Sequence, residues 1–219
     1  MQDRARATRK SLLEAAAHLF VEQGYVGTSI NDISGRSGKT SGAIYFHYAS
    51  KEELALAVVR EQFATWPQLA RYCATPDVPP LDLLVGLSFE IARALSEDVI
   101  ARAGARLWAE RRSIDAAVPA PFEAWIAAAT TLLADARVRG ELAEGIDPSD
   151  TATTLVCACF GLYGLTDEVV GEKELAARLH QWWFLVLKAL QAQPDPAALL
   201  ARARANAAHW GAGSGESAE

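Results

Sequence analysis

Ser34-Gly35-Arg36-Ser37-Gly38-Lys39-Thr40-Ser41-Gly42-Ala43-Ile44-Tyr45-Phe46-His47-Tyr48 contains Gly-Lys-Thr, and the reading of those three residues decides the fold. Gly-Lys-Thr ends the phosphate-cradling loop of nucleotide hydrolases, whose full pattern is Gly-x-x-x-x-Gly-Lys-Ser/Thr between a buried strand and a helix. The first glycine of that pattern falls on position 33, which is Ile33. Upstream, Ser29-Ile30-Asn31-Asp32-Ile33 places its isoleucines three apart, at helical spacing, and no run ahead of it reads as a parallel strand. The phosphate-loop reading fails, and the stretch belongs to a helical unit.

Leu12, Ala16, Leu19, Phe20 and Gln23 recur at three- and four-residue steps, which predicts a helix over 5–23, stopped by Gly24. Thr28 or Ser29 caps a short second helix, with Asp32 as the acid of a capping box and Ile30 and Ile33 on its inner face. Gly38 breaks it. A third short helix runs from about Thr40 to Tyr48, with Ile44 and Tyr48 on one side. Ser50 caps a fourth, with Glu52 and Glu53 in its first turn, where the helix dipole favours acids. Three short helices with a tight glycine turn between the second and third form a helix-turn-helix.

In that layout the residues of Gly-Lys-Thr meet the phosphates of DNA. Thr40 and Ser41 open the third helix, whose first residues reach base edges in the major groove and whose free backbone N–H groups attract phosphate. Gly42 permits close approach. Tyr45 shares the outward face with Ser41, and its hydroxyl can donate to a phosphate; His47 and Lys51 reach the same strand from the helix's far end. Thr28, Ser29 and Lys39 complete the expected DNA contacts. The competing reading of Tyr45 and His47 is an ordinary surface pair.

The remaining sequence is also helical. The pattern predicts helices over 51–72 (bent near Pro67), 81–95, 99–110, 119–139, 147–165, 172–191 and a last one from Asp195-Pro196 carrying Leu199, Leu200, Ala203, Ala207 and Trp210. Residues 76–80 read as a loop and 211–219, rich in glycine and serine, as a disordered tail. The expected fold is all-α: a helix-turn-helix DNA-binding domain over 1–50, and a larger helical effector-binding and dimerisation domain over 51–210.

Composition bounds the function. The chain has 219 residues, 51% of them hydrophobic and 8% aromatic, as expected of a soluble globular protein. Its net charge of -6 conceals an asymmetry. Residues 1–51 hold seven basic and four acidic residues, a balance of +3; the rest holds 14 basic and 23 acidic, a balance of -9. Only the head is suited to a polyanion. The charged start offers no secretion signal, and the longest apolar run, Leu155 to Leu165, is too short to span a bilayer, so a cytoplasmic, nucleoid-associated protein is expected. The three cysteines lack metal-binding spacing and read as small core residues in a reducing compartment. No cofactor and no metal are implied. No Ser/His/acid or paired-carboxylate set stands out, and the cluster Glu110, Arg111, Arg112 and Asp115 reads as a solvated helix end, so no enzyme is expected.

Gly24-Tyr25-Val26-Gly27-Thr28-Ser29-Ile30 and Ala43-Ile44-Tyr45-Phe46-His47-Tyr48-Ala49-Ser50-Lys51-Glu52-Glu53-Leu54 resemble the DNA-binding head of TetR-family transcriptional repressors. The resemblance implies an all-helical homodimer whose variable C-terminal part binds a small effector. Where the family's turn reads Gly-Val-Ser/Thr-Lys-Gly, this chain has Gly38-Lys39-Thr40-Ser41-Gly42, so the positive charge has moved two places and the bases contacted are open. Ala101 to Leu107, Pro121-Phe122-Glu123-Ala124-Trp125, and Thr154 to Cys157 with Phe160-Gly161 resemble the γ-butyrolactone receptors of actinomycetes, which sense butyrolactone, butenolide or furan signals and control antibiotic biosynthesis.

That second resemblance implies a ligand site. Trp125 matches the tryptophan that the subgroup places against its ligand, and Gln62, Phe63, Trp108 and Phe122 match pocket-lining positions; Phe160 and Tyr163 are counted with them. Phe63, Trp108 and Phe122 replace Tyr or Gln of some similar receptors, giving a more apolar pocket in which Gln62 and the Trp125 indole are the candidate donors to a lactone carbonyl. Such a pocket equally suits an antibiotic or a biosynthetic intermediate, or its aromatics fill their own space and no ligand binds. Trp182 and Trp183, with Leu155 to Leu165, suggest a two-fold four-helix dimer interface through the helices around 148–165 and 172–191, the alternative being a helix buried within one subunit.

Overall fold

The computed structural model describes residues 2–73, 78–119, 122–170 and 174–213, with side chains described over 4–63, 78–119, 122–164 and 174–207. The fold is all-α. Its helices are α1 (Gln2–Gly27), α2 (Ile30–Ser37), α3 (Ser41–His47), α4 (Lys51–Cys73), α5 (Pro80–Glu97), α6 (Val99–Ala109), α7 (Phe122–Val138), α8 (Pro148–Val170), α9 (Leu175–Leu190) and α10 (Pro196–Gly213). A 3-10 turn spans Arg111–Ser113. Among the described residues β-pairing is confined to one isolated bridge, Leu142 with Gln191. The side chains around Pro67, where a bend is expected, and residues 76, 77 and 214–219 lie outside what is described; residues 211–213 continue α10.

Two compact units form, residues 1–66 with 97–120, and residues 67–96 with 121–219. In the first, the helical spacing of α1 points Leu12, Ala16 and Phe20 inward, where they meet Ile33 of α2, Ile44 of α3, Leu54 and Val58 of α4, and Leu107 of α6. Burying each large side chain contributes about 1.5–3 kcal/mol. The short helices are delimited by their caps. Ser29 accepts from the Asp32 N–H while the Asp32 carboxylate accepts from the Ser29 N–H, a complete capping box that opens α2. Gly38, at φ +65°, closes α2 in the left-handed region that only glycine enters cheaply. Thr40 caps α3 by accepting from the Ala43 N–H at 3.2 Å.

Packing in the second unit centres on Leu133, Leu179, Trp183, Leu187 and Leu200. Ser88 of α5 ties three helices together. Its hydroxyl accepts from Trp183 Nε1 of α9 at 2.7 Å and donates to the Val85 carbonyl, and its own carbonyl accepts from the Tyr163 hydroxyl of α8 at 3.1 Å. Asp82, also buried, accepts two hydrogen bonds from Arg202 at 2.7 and 3.1 Å. Of the cysteines expected in the core, Cys159 is half-buried but Cys157 is exposed on α8, because residues two apart on a helix face different ways; the Cys73 side chain is outside the described set.

Candidate DNA-reading helix and effector-contact residues

Helix α3 presents most of its side chains outward. Ile44 is its one fully buried residue, while Lys39, Thr40, Gly42 and Tyr45 are exposed, and Ser41 and His47 half-exposed. Lys39 stands in solvent, and its carbonyl accepts from the Ser34 hydroxyl at 2.5 Å, which steadies the turn ahead of α3. The Ser41 hydroxyl points back to α2 and donates to Asn31 Oδ1 at 3.4 Å. Phe46 is 83% exposed, with its ring edge-on to His47 at 5.2 Å. The sequence reading leaves Phe46 out of the expected DNA contacts; its signal was an aromatic two places from buried Ile44.

Three expected DNA contacts have internal work. Thr28 is 2% exposed, and its hydroxyl donates to the Gly24 carbonyl at 2.7 Å. That corrects its assignment to DNA: the side chain braces the end of α1 and offers nothing outward. The Ser29 hydroxyl is held by Asp32 at 2.6 Å. Its partnership keeps the Asp32 carboxyl below the usual carboxylate range. Lys51 donates from Nζ to the carbonyls of Tyr25 and Thr28, both at 2.9 Å, and lies 4.1 Å from the centre of the Tyr25 ring. It closes the carbonyl end of α1, where a cation is favoured. The Tyr25 hydroxyl in turn donates to Glu52 at 2.7 Å, which lowers the Glu52 carboxyl, while burial raises the phenol.

Helix α6 grips the same end of α1. Gly24 adopts φ +74°, and a Cβ there would stand 2.6 Å from a Glu110 carboxylate oxygen. Glu110 accepts from the Tyr25 N–H at 2.7 Å, and Arg106 donates to Glu110 at 3.0 Å and to the Val21 carbonyl at 2.5 Å. Glu110, read from the sequence as part of a solvated helix end, is instead the link between α6 and the head.

The expected effector residues divide between the units: Gln62, Phe63 and Trp108 in the first, Phe122, Trp125, Phe160 and Tyr163 in the second. Gln62 is 7% exposed and rests against Gly104 of α6, where a Cβ would lie 2.7 Å from its Cδ. Its Oε1 has no hydrogen-bond partner among the described residues. The buried atom is thus an acceptor in need of a donor, where the sequence reading expected Gln62 to donate. Phe63 packs half-buried on the first unit's core, and the Arg111 guanidinium covers the Trp108 ring at 3.8 Å. In the second unit Phe160 is the centre of an aromatic cluster, with Phe122 at 4.4 Å, Trp125 at 4.9 Å and Tyr163 at 6.1 Å between ring centres. Burial raises the Tyr163 phenol and pushes the neighbouring Cys159 thiol up to about 12, so the cluster carries no charge near neutral pH. Flat apolar faces without charge suit an uncharged ligand with an apolar body.

Residues 12–58 match the family described as bacterial regulatory proteins, tetR family, and residues 78–192 match the tetracyclin repressor-like C-terminal domain. The A-factor receptor protein of Streptomyces griseus is 33% identical over 189 residues; the match covers 86% of this chain and 66% of that protein, so the chain spans just under two thirds of that relative's length. A crystallised γ-butyrolactone receptor, described as ArpA-like, superposes with a TM-score of 0.73 at 31% identity, over 96% of this chain and 98% of the other. CprB of Streptomyces coelicolor, solved with its biological operator sequence, gives 0.73 at 32% identity over 94% and 97%. The chain belongs to the tetR family of bacterial regulatory proteins, a class of transcription factors and not of enzymes. Within that family it falls in the γ-butyrolactone receptor subgroup. No helix among the described residues is long and apolar enough to cross a membrane.

Proposed function

We propose that this chain is a ligand-responsive transcriptional repressor that binds palindromic operator DNA as a homodimer and is released by a small γ-butyrolactone-like signal. The observation that carries the reading is the division of labour in the first unit. One short helix, α3, turns its polar and aromatic side chains to solvent, and the end of α1 beside it is held by α6 through Arg106 and Glu110. A shift of α6 is therefore felt directly by the head, which gives an effector differential affinity for the DNA-binding and released states. Lys39, Thr40, Ser41, Gly42, Tyr45 and His47 contact the operator, and the basic balance of the head supplies the attraction to phosphate.

The Phe160 cluster takes the apolar body of the signal, with Trp125 as its flat wall. Kinship with the A-factor receptor and the γ-butyrolactone receptor supports a lactone-type signal over an antibiotic or a biosynthetic intermediate. Helices α8 and α9 pair across a two-fold axis, setting the two α3 helices about 34 Å apart, one DNA turn, or a near multiple. The protein works on the nucleoid, on genes of secondary metabolism. The test is operator selection from random DNA followed by mobility shift with and without a panel of butyrolactones, butenolides and furans. A palindromic operator and release by one chemical class are expected. Absence of sequence-specific binding at every salt concentration would overturn the repressor reading, and binding that no member of the panel relieves would overturn the effector assignment.

A further inference from the structure

We infer that Phe46 reads a thymine C5-methyl group in the operator, as a sequence-determining contact beyond the polar ones; the inference rests on α3 being the DNA-facing helix. Among the described residues Phe46 is the most exposed large apolar side chain of the first unit, at 83%, ahead of Val26 at 74% and Tyr45 at 54%. Two residues advance an α-helix by about 200°, so Phe46 lies on the side of α3 away from Ile44, which is wholly buried. One turn earlier on that outer side stands Gly42, exposed, where a Cβ would meet nothing nearer than Thr40 Oγ1 at 3.9 Å. The surface before the ring is therefore low, and a base edge can reach it. Among the described residues His47 alone makes ring contact with Phe46, edge-on, and the ring is otherwise open to a partner.

Chemistry then selects the partner. A phenyl ring has no hydrogen-bonding group, so it recognises neither phosphate nor the donors and acceptors of guanine, cytosine or adenine. In the major groove the thymine methyl is the apolar group that a base presents, and it separates thymine from cytosine. Tyr45, the adjacent exposed aromatic, carries a hydroxyl suited to phosphate; Phe46 carries none, which divides the two side chains between positioning and reading.

Thymine-to-deoxyuridine replacement removes this one methyl and nothing else. The full-length protein is used to select its operator, and each thymine of the two half-sites is then replaced symmetrically by deoxyuridine. Affinities are measured for the wild type, Phe46→Ala and Phe46→Leu. At one thymine per half-site the wild type is expected to lose roughly fourfold per methyl, about fifteenfold for the symmetric pair. Phe46→Ala should lose nothing further at that position, and Phe46→Leu should keep part of the sensitivity. The ring is exposed, so all three proteins should melt alike. Identical deoxyuridine profiles for the wild type and Phe46→Ala would overturn the inference while leaving the repressor reading intact. Failure to select any operator would overturn both.

Discussion

Replacing Lys51 by Met separates two roles that the same residue is expected to play. In the structure its ammonium closes the end of α1 through two hydrogen bonds of 2.9 Å, to the Tyr25 and Thr28 carbonyls, and stacks on the Tyr25 ring. Hydrogen bonds from a charged donor are worth about 1.5–3 kcal/mol each, and the ring contact adds about 0.5–1 kcal/mol. Desolvation of a partly buried ammonium offsets some of this, and methionine preserves the packing of the stem, so Lys51→Met should destabilise the protein by about 2–4 kcal/mol. At roughly 2–4 °C per kcal/mol for a chain of this size, the melting temperature falls by on the order of 10 °C. Two assays check this, thermal unfolding and the salt dependence of operator affinity. The clamp role predicts a large drop in melting temperature with the slope of log affinity on log salt unchanged. A pure phosphate contact predicts the reverse, an unchanged melting temperature and a slope reduced by about 1. That second pattern would refute the assignment of Lys51 to the inside of the head.

Gln62→Leu removes a buried acceptor that has no partner among the described residues, so it should stabilise the free protein by about 1 kcal/mol, seen in denaturant unfolding. Ser88→Ala leaves Trp183 Nε1 buried without an acceptor and should cost about 1–3 kcal/mol, measured by the same unfolding assay, with DNA contacts unaffected. Asp32 and Glu52 are both held below the ordinary carboxylate range by hydrogen bonds made in the folded state. Their contribution to stability is therefore present above the unfolded value near 4 and is lost as pH falls through the lowered folded values. Asp32→Asn and Glu52→Gln should each flatten the acid limb of the stability curve below about pH 4 and leave its neutral region parallel to wild type.

The helix order was legible in the sequence because it is written in local rules. Apolar residues at three- and four-residue steps, Ser29 and Asp32 as a capping box, Gly38 at a left-handed turn and the Asp-Pro starts at 147 and 195 each act within a few residues of themselves. So does the exclusion of the phosphate loop, which needs only Ile33 where glycine is required. Those rules also identified α3 as the outward helix, since Ile44 had to face inward. What they left open was decided by which side chains the fold turns inward and by contacts distant along the chain. Thr28 and Lys51 are a hydroxyl and an amine of the kind that meets phosphate, and from sequence alone nothing separates such a group from one turned inward. Folding buries Thr28, whose hydroxyl meets the Gly24 carbonyl four residues back, and brings Lys51 onto the carbonyls of Thr28 and Tyr25, 23 and 26 residues away. Glu110 becomes the anchor of the Tyr25 N–H only because α6 packs on α1, 85 residues apart. The free acceptor of Gln62 likewise depends on the bare backbone of Gly104 opposite it. Spacing along a chain specifies which helix forms and which side is apolar; which polar group is consumed inside and which is left for DNA or a ligand depends on what the fold sets against it.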